Sequence, residues 1–139
     1  MAAFQKFNAF VENLAEKVHN LGADTLKVAL TNTAPIAANS VFADLTEISA
    51  GNGYTAGGTQ ATISSSVQSG GVYKLVLADV VFTASGGSIG PLRYAVLYND
   101  TPVSKPLIGF WDYGASITLL TGETLTWDAD ATNGVLQLT

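Results

Sequence analysis

The chain has 139 residues, of which 47% are hydrophobic and only 12% charged. This length fits one domain with a core of its own, whereas soluble domains usually carry about 25% charged residues. Six basic and eleven acidic residues give a net charge of −5, and the basic residues are scattered. This excludes the clustered positive surface that nucleic-acid binding needs. No apolar run reaches the ~18 residues of a membrane span, so we expect no membrane partner either.

The first 22 residues predict the only helix of the chain, with an extended arm as the alternative. Gly22 follows the last apolar residue, where a left-handed glycine ends many helices, and His19 falls on the surface of the last turn. The candidate contacts of this segment with a partner are Phe4, Phe7 and Val11, and the alternative is a helix that covers one open end of the domain. The apolar residues recur at alternating spacings of three and four, as on one helix face: Phe4, Phe7, Val11, Leu14, Val18 and Leu21.

Residues 25–138 predict about eight short strands separated by turns rich in Gly, Asn, Asp and Pro. Residues 25–31 alternate apolar and polar side chains, as a half-buried strand does. Residues 72–84 form a long run typical of β-structure, which Asp79 interrupts, so we expect a bend or bulge there. The other predicted strands are 60–67, 92–98, 107–113, 116–120, 123–128 and 135–138, with 45–49 as a weaker candidate.

Strands at this spacing, with no repeat and no break in composition, indicate a single domain over residues 1–139. The predicted fold is mainly all-β: a two-sheet β-sandwich of the jelly-roll type, with residues 1–22 as a short N-terminal helix or arm. The chain has no Cys, which excludes disulfides and thiolate metal sites.

Two short motifs match patterns of catalytic or nucleotide-binding sites only superficially. Residues 86–90 fit G-x-S-x-G, but a proline and a strand follow where a nucleophile elbow needs a helix. Residues 51–56 fit G-x-G-x-x-A, but a predicted strand follows instead of the helix that binds pyrophosphate. With no Cys and a single His, His19, no nucleophile–base pair or multi-His metal site can be assembled. We therefore expect no enzymatic activity and no cofactor.

Residues 128–134 resemble the beginning of a calcium-binding loop. An EF-hand needs glycine at the sixth position and a carboxylate at the twelfth, where this chain has Asn133 and Thr139. The first expectation is therefore a polar turn between the last two strands. A calcium site of another kind, built on Asp128 and Asp130, stays open.

Aromatic residues cluster at 110–113, and Trp127 lies on the second predicted strand after them, 123–128. In an alternating strand, Trp111 and Tyr113 share one face. Core packing is the first expectation for that face. The second is that Trp111 and Tyr113 contact a partner or stack on a sugar, since such residues dominate interface hot spots. Trp127 is predicted to lie in the core.

Four segments that together cover most of the chain carry a resemblance. They are FVENLAEKVHNLGADTLKVALTNTAP, EISAGNGYTAGGTQAT, ASGGSIGPLRYAVLYNDT and PLIGFWDYGASITLLTGETLTWDADATNGVLQL. In this order they resemble a group of small virion structural proteins encoded by tailed bacteriophages and prophages. Some phage proteins of this size are jelly-roll cement or decoration proteins on the capsid.

The resemblance implies a non-enzymatic virion structural protein, assembled in the host cytoplasm without a signal peptide. The expected role is that of a cement or decoration protein on the capsid surface, which binds the major capsid protein and stabilises the head. Its expected partners are that protein and further copies of itself, as a dimer or trimer. The alternative is a tail or baseplate component, including a carbohydrate-binding receptor tip, for which exposed Trp111 and Tyr113 would be the evidence.

Overall fold

The computed structural model describes residues 2–139 and consists mainly of antiparallel β-structure with one short helix, as predicted. A short 3-10 turn, Phe42–Asp44, lies in the long connection after the second strand. The elements in chain order are β1 (Gln5–Lys6), α1 (Asn8–Ala15), β2 (Leu26–Thr31), β3 (Thr59–Gln60), β4 (Ile63–Ser69), β5 (Val72–Leu77), β6 (Val80–Thr83), β7 (Ile89–Asn99), β8 (Leu107–Leu119), β9 (Thr124–Trp127) and β10 (Leu136–Leu138).

The strands form one large and two small antiparallel sheets. The large sheet has the order β1-β8-β7-β2-β3, and the small sheets have the orders β10-β5-β4 and β6-β9. One face of the large sheet packs against both small sheets in a single hydrophobic core. The predicted sandwich therefore has a divided second layer. A jelly roll with eight strands in two sheets is not confirmed by this order.

The second layer is divided at Asp79, the residue that interrupts the apolar run 72–84. Before it, Leu75 and Leu77 face the core, and after it Val80 and Phe82 do so. The inward positions thus change phase at residues 78–79, and the chain leaves one small sheet and enters the other. The Asp79 carboxylate accepts a hydrogen bond from the N–H of Ala129 (2.8 Å). The predicted bend is confirmed.

The central strands of the large sheet are buried on both faces, which explains why β7 reads as an almost continuous apolar run. Alternate residues point to the main core or to a second cluster on the opposite face. Phe7 and the 3-10 turn cover that second cluster, since Phe7 packs on Phe110 (5.1 Å between ring centroids) and Phe42 on Tyr98 (4.6 Å). The chain itself therefore covers both faces of its central strands.

Three strand predictions need correction. Residues 45–49 form no strand; a single bridge between Thr31 and Glu47 and a hydrogen bond from the Thr31 hydroxyl to the Thr46 carbonyl tie them to β2. The segment 60–67 is divided between β3 and β4. The segments 107–113 and 116–120 form one continuous strand, β8, because Gly114 adopts a φ of +89° and lets the strand bulge without ending.

The N-terminal segment combines the two predicted alternatives, so the helix expected up to Leu21 is wrong. Residues 5–6 are an extended arm that pairs with β8, and the helix covers only Asn8–Ala15. Lys17 adopts the left-handed conformation (φ 67°) that the sequence assigned to Gly22. This early turn redirects the chain, so that Leu21 is buried in the main core.

The helix also buries a different face from the one predicted. Phe10 is buried and Leu14 packs partly against the core, whereas Val11 is 51% exposed and Val18 is exposed. Because the helix begins only at Asn8, the preceding Phe7 has an extended backbone, and the helical period does not determine the direction of its side chain. Phe10 therefore replaces Val11 as the apolar contact of the first helical turn.

Candidate functional site

A cleft lies between β8 and β9, and a bulge in β8 shapes it. Asp112 is paired with Tyr94 and Ile117 with Leu92, so residues 113–116 of β8 stand opposite Arg93 alone. Gly114 supplies the left-handed residue that this bulge requires. Bulges of this kind re-aim side chains and are frequent beside functional sites.

An aromatic wall lines the inner side of this aromatic cleft. Trp111 and Trp127 meet edge to face, with ring centroids 5.0 Å apart and an interplanar angle of 81°, a geometry that aromatic pairs favour. Phe4, from the N-terminal arm, covers Trp111 at 5.4 Å. Tyr113 is only partly buried and packs against the same core. The two tryptophans are thus structural, and Tyr113 offers the more open aromatic surface.

The aromatic cleft has a volume of about 590 Å³ and mixes aromatic with polar side chains. This volume lies within the range of roughly 300–1,000 Å³ that ligand pockets occupy. Both tryptophans of the chain line it. The full lining consists of Ala2, Trp111, Asp112, Tyr113, Gly114, Thr126, Trp127 and Asp128.

An ion pair fixes the carboxylate of Asp112 at the edge of the aromatic cleft. Arg93 donates to it twice, from Nε to Oδ1 (2.8 Å) and from a terminal nitrogen to Oδ2 (3.1 Å). The N–H of Gly114 donates to Oδ1 as well (2.7 Å). The hydrogen bond from Arg93, followed by that from Gly114, lowers the pKa of Asp112 below its ordinary value. The group is therefore a charged acceptor of fixed orientation.

Two further groups of the aromatic cleft are unusual: Tyr113 in its pKa and Trp127 in its hydrogen bonding. Burial raises the pKa of Tyr113 to about 12, so its phenol stays protonated at neutral pH. The indole N–H of Trp127 is buried and has no hydrogen-bond partner within residues 2–139. A buried donor without a partner costs free energy comparable to that of a lost hydrogen bond.

The five predicted contact residues lie in three different places. Trp111 and Tyr113 line the aromatic cleft. Phe4 and Val11 line a second depression, the apolar groove, of about 450 Å³ between the N-terminal segment and β10. Phe7 is fully buried and Trp111 is only 6% exposed, so the expectation that these two contact a partner is corrected: both belong to hydrophobic cores.

Sequence reasoning missed two members of these sites. Phe10 lines the apolar groove and was overlooked beside Val11, because two adjacent apolar residues compete for one helix face. Trp127 was assigned to the core, where it is 2% exposed, yet it also lines the aromatic cleft. The prediction of a core position contained no sign that β9 lies beside β8.

The loop 128–134 is the polar turn that was expected. Asp130 accepts hydrogen bonds from the N–H groups of Thr132 (3.0 Å) and Asn133 (2.9 Å), and these lower the pKa of its carboxyl. Within residues 2–139, no three His, Cys, Asp or Glu side chains form a group that could hold a metal ion. The carboxylate of Asp130 therefore organises its own loop.

A buried polar cluster contains His19, which corrects its expected surface position. Asn99 donates from Nδ2 both to His19 Nδ1 (3.1 Å) and to Asp24 Oδ2 (2.7 Å). The Asn99 carbonyl oxygen accepts the N–H of Thr101 (3.1 Å), which fixes the orientation of the amide. His19 Nδ1 is therefore an acceptor and carries no proton. Burial lowers the pKa of His19, and the nearby charge of Asp24 opposes this shift to a smaller extent.

We expect this cluster to make the protein less stable in weak acid. Because the folded state lowers the pKa of His19, the unfolded state binds more protons below pH ~6.5, and the free energy of unfolding falls as the pH drops through that value. Urea unfolding between pH 7.5 and 5.5 measures this. The variant His19→Gln keeps an acceptor for Asn99 but does not titrate, so its stability should change less over this range. Equal pH dependence of both proteins would contradict the prediction.

The fold and these surfaces define a mainly antiparallel β-domain with an aromatic cleft and an apolar groove. No family model matches the chain, and neither the curated proteins nor the solved structures contain a match to it. None of the helices within residues 2–139 combines the length and apolar character that crossing a membrane takes.

Proposed function

We propose that the protein is a non-enzymatic structural protein of a tailed-bacteriophage virion. In this proposal it is a cement or decoration protein on the outer surface of the capsid. It binds the major capsid protein, stabilises the head and acts as a homo-oligomer. The resemblance of its sequence to small phage virion proteins over nearly the whole chain supports the virion assignment.

The observation that carries the docking part of the proposal is the apolar groove. Val11 and Leu138 are 51% and 42% exposed on its rim. Lys6 is the single charged side chain among the described residues that line it. The chain already covers its own central strands, so this apolar surface at the edge of the domain is free for a partner. Its burial by a partner would be favourable, because apolar surface is removed from water. We assign this groove to the contact with the major capsid protein.

A shell-binding protein needs only modest affinity in each contact. Many copies on a symmetric capsid act together, and linked weak contacts add stability without further interactions. The domain is a rigid body suited to this role, because the large sheet packs on one face against both small sheets and on the other face against a second hydrophobic cluster.

We expect Val11→Asp to weaken binding to preformed capsids about tenfold or more. Burial of a valine contributes about 1.5 kcal/mol, which corresponds to roughly that factor, and a desolvated charge adds to the loss. Val103→Asp is the matched control, because Val103 is fully exposed in the loop between β7 and β8. Cosedimentation of purified protein with capsids that lack it measures both. Equal binding of the two variants would reject the groove as the docking surface.

The copy number of the chain in purified virions tests the role itself, by quantitative mass spectrometry. A simple ratio to the major capsid protein, with hundreds of copies, agrees with a cement protein. A handful of copies would overturn the capsid role in favour of the tail or baseplate, and absence from virions would reject both. Deletion of residues 2–11 is a poorer test of docking, since it also removes the buried Phe7 and Phe10.

A further inference from the structure

We propose that the aromatic cleft between β8 and β9 is a binding site for a neutral saccharide. This inference goes beyond the capsid role and does not depend on it, because it uses Tyr113, Trp127 and two carboxylates, none of which lines the apolar groove.

The aromatic side of the cleft suits the apolar face of a pyranose ring. The edge-to-face pair of Trp111 and Trp127 forms a rigid wall, since both indoles are nearly buried and each holds the other in place. Tyr113 stands beside them on the bulge of β8 with part of its ring open to solvent. Its two side-chain torsions are restrained by packing against the main core, so little conformational entropy is lost when a ring stacks on it.

The polar side of the cleft suits the hydroxyl groups of the same ring. Asp112 Oδ2 accepts a single hydrogen bond, from Arg93, and keeps a lone pair for a ligand hydroxyl. Because Arg93 and Gly114 hold this carboxylate in place, it is oriented before a ligand arrives. Asp128 and Thr126 are exposed on the β9 side and supply further acceptors and a donor. Convergent polar groups on an aromatic wall are typical of small-molecule sites.

The unpaired indole N–H of Trp127 is the second, independent observation. This side chain is 98% buried and lines the cleft, and no acceptor among residues 2–139 pairs with its N–H. Sugars carry many hydroxyl and ether oxygens, and a small shift of the indole toward the cleft would let one of them accept this N–H and remove the cost of the unsatisfied group. A purely apolar ligand would leave that cost in place.

The charges of the cleft select against acidic sugars. Arg93 neutralises Asp112, whereas Asp128 has no cationic partner within the described chain, and the whole chain carries a net charge of −5. A carboxylated or sulfated saccharide would therefore be repelled, while a neutral hexose or N-acetylhexosamine chain would not.

Tryptophan fluorescence of the full chain tests the inference directly, because both tryptophans line the cleft. The probes are maltotriose and triacetylchitotriose as neutral saccharides and trigalacturonate as the acidic one. We expect a saturable change in emission with at least one neutral probe and none with trigalacturonate. Tyr113→Ala should weaken binding about tenfold, which corresponds to one lost stacking contact of ~1.4 kcal/mol.

Two further variants distinguish the cleft from other surfaces. Trp127→Phe retains an aromatic ring but lacks the N–H, so its affinity for the neutral probe should fall, with isothermal calorimetry as the readout. Glu16→Gln changes an exposed carboxylate outside the cleft and should bind like the natural chain. No heat and no emission change with either neutral probe at about 10 mM, or binding that Tyr113→Ala and Trp127→Phe both leave intact, would overturn the proposal.

Discussion

Trp127→Ala is expected to unfold the domain or to lower its melting temperature by about 10–20 °C. Removal of a buried tryptophan typically costs about 3–5 kcal/mol, a large part of the 5–15 kcal/mol that stabilises a typical domain. Trp127 is 2% exposed, stands opposite Val80 in the β6-β9 pair and packs on Trp111. Its loss therefore opens a cavity between the large sheet and the smaller of the two covering sheets. Thermal unfolding followed by circular dichroism measures the effect.

Trp127→Phe is the control for this substitution. Phenylalanine keeps most of the apolar surface and removes an N–H that has no partner in the part of the chain that the structure describes. Its cost should therefore be less than half that of the alanine variant. If the alanine variant melted at the temperature of the natural chain, Trp127 would not be a core residue and the packing of β9 on the large sheet would be wrong.

The β-strands could be predicted from sequence where a local pattern decides the structure. The alternation of apolar and polar residues predicted the position of β2, but not its burial: the strand is buried on both faces and not on one, because it lies inside the large sheet. Asp79 marked the point at which one apolar run is divided between two sheets. These features depend on side-chain period and on turn residues, which neighbouring positions determine.

The N-terminal segment could not be predicted because long-range pairing determines it. Gln5 and Lys6 are extended because they pair with the free edge of β8, which lies about a hundred residues later in the chain. Phe4 fits over Gly109, where any side chain would collide with its ring. With the arm extended, the helix starts late and Phe10 is buried in place of Val11. The helical period alone contains none of this information.

The sequence predicted one side of the aromatic cleft but not the other. Alternation placed Trp111 and Tyr113 on one face, and both line the cleft. It could not show that Trp127 and Asp128 lie across from them, because β8 and β9 belong to different sheets. Nor could it show the bulge at 113–116, whose one local signal is Gly114.

The glycine-rich loop before β3 is held against the large sheet by a partly buried hydrogen-bond network. Tyr54 donates its hydroxyl proton to Glu47 (2.6 Å) and accepts the N–H of Leu30 (3.0 Å). Glu47 also accepts the N–H of Gly57 (2.7 Å), and Tyr98 donates to the carbonyl of Gly57 (2.5 Å). Burial, followed by the hydrogen bond to Glu47, raises the pKa of Tyr54, so the phenol remains a donor at neutral pH. This network draws the backbone of the loop close to β2.

Gly58→Ala is therefore expected to destabilise the protein by about 2–5 kcal/mol, the sum of left-handed strain and overpacking. Gly58 has a φ of +80°, and a Cβ there would collide with the carbonyl oxygen of Val28 and lie 2.6 Å from its carbonyl carbon. Gly122→Ala is the matched control, since Gly122 has a φ of +89° but nothing within 4 Å of the added atom. Its cost should be only the strain, about 1–2 kcal/mol. Urea unfolding of both variants separates the two terms. Equal losses would mean that β2 yields to the extra methyl group and that the close approach of the loop contributes little to stability.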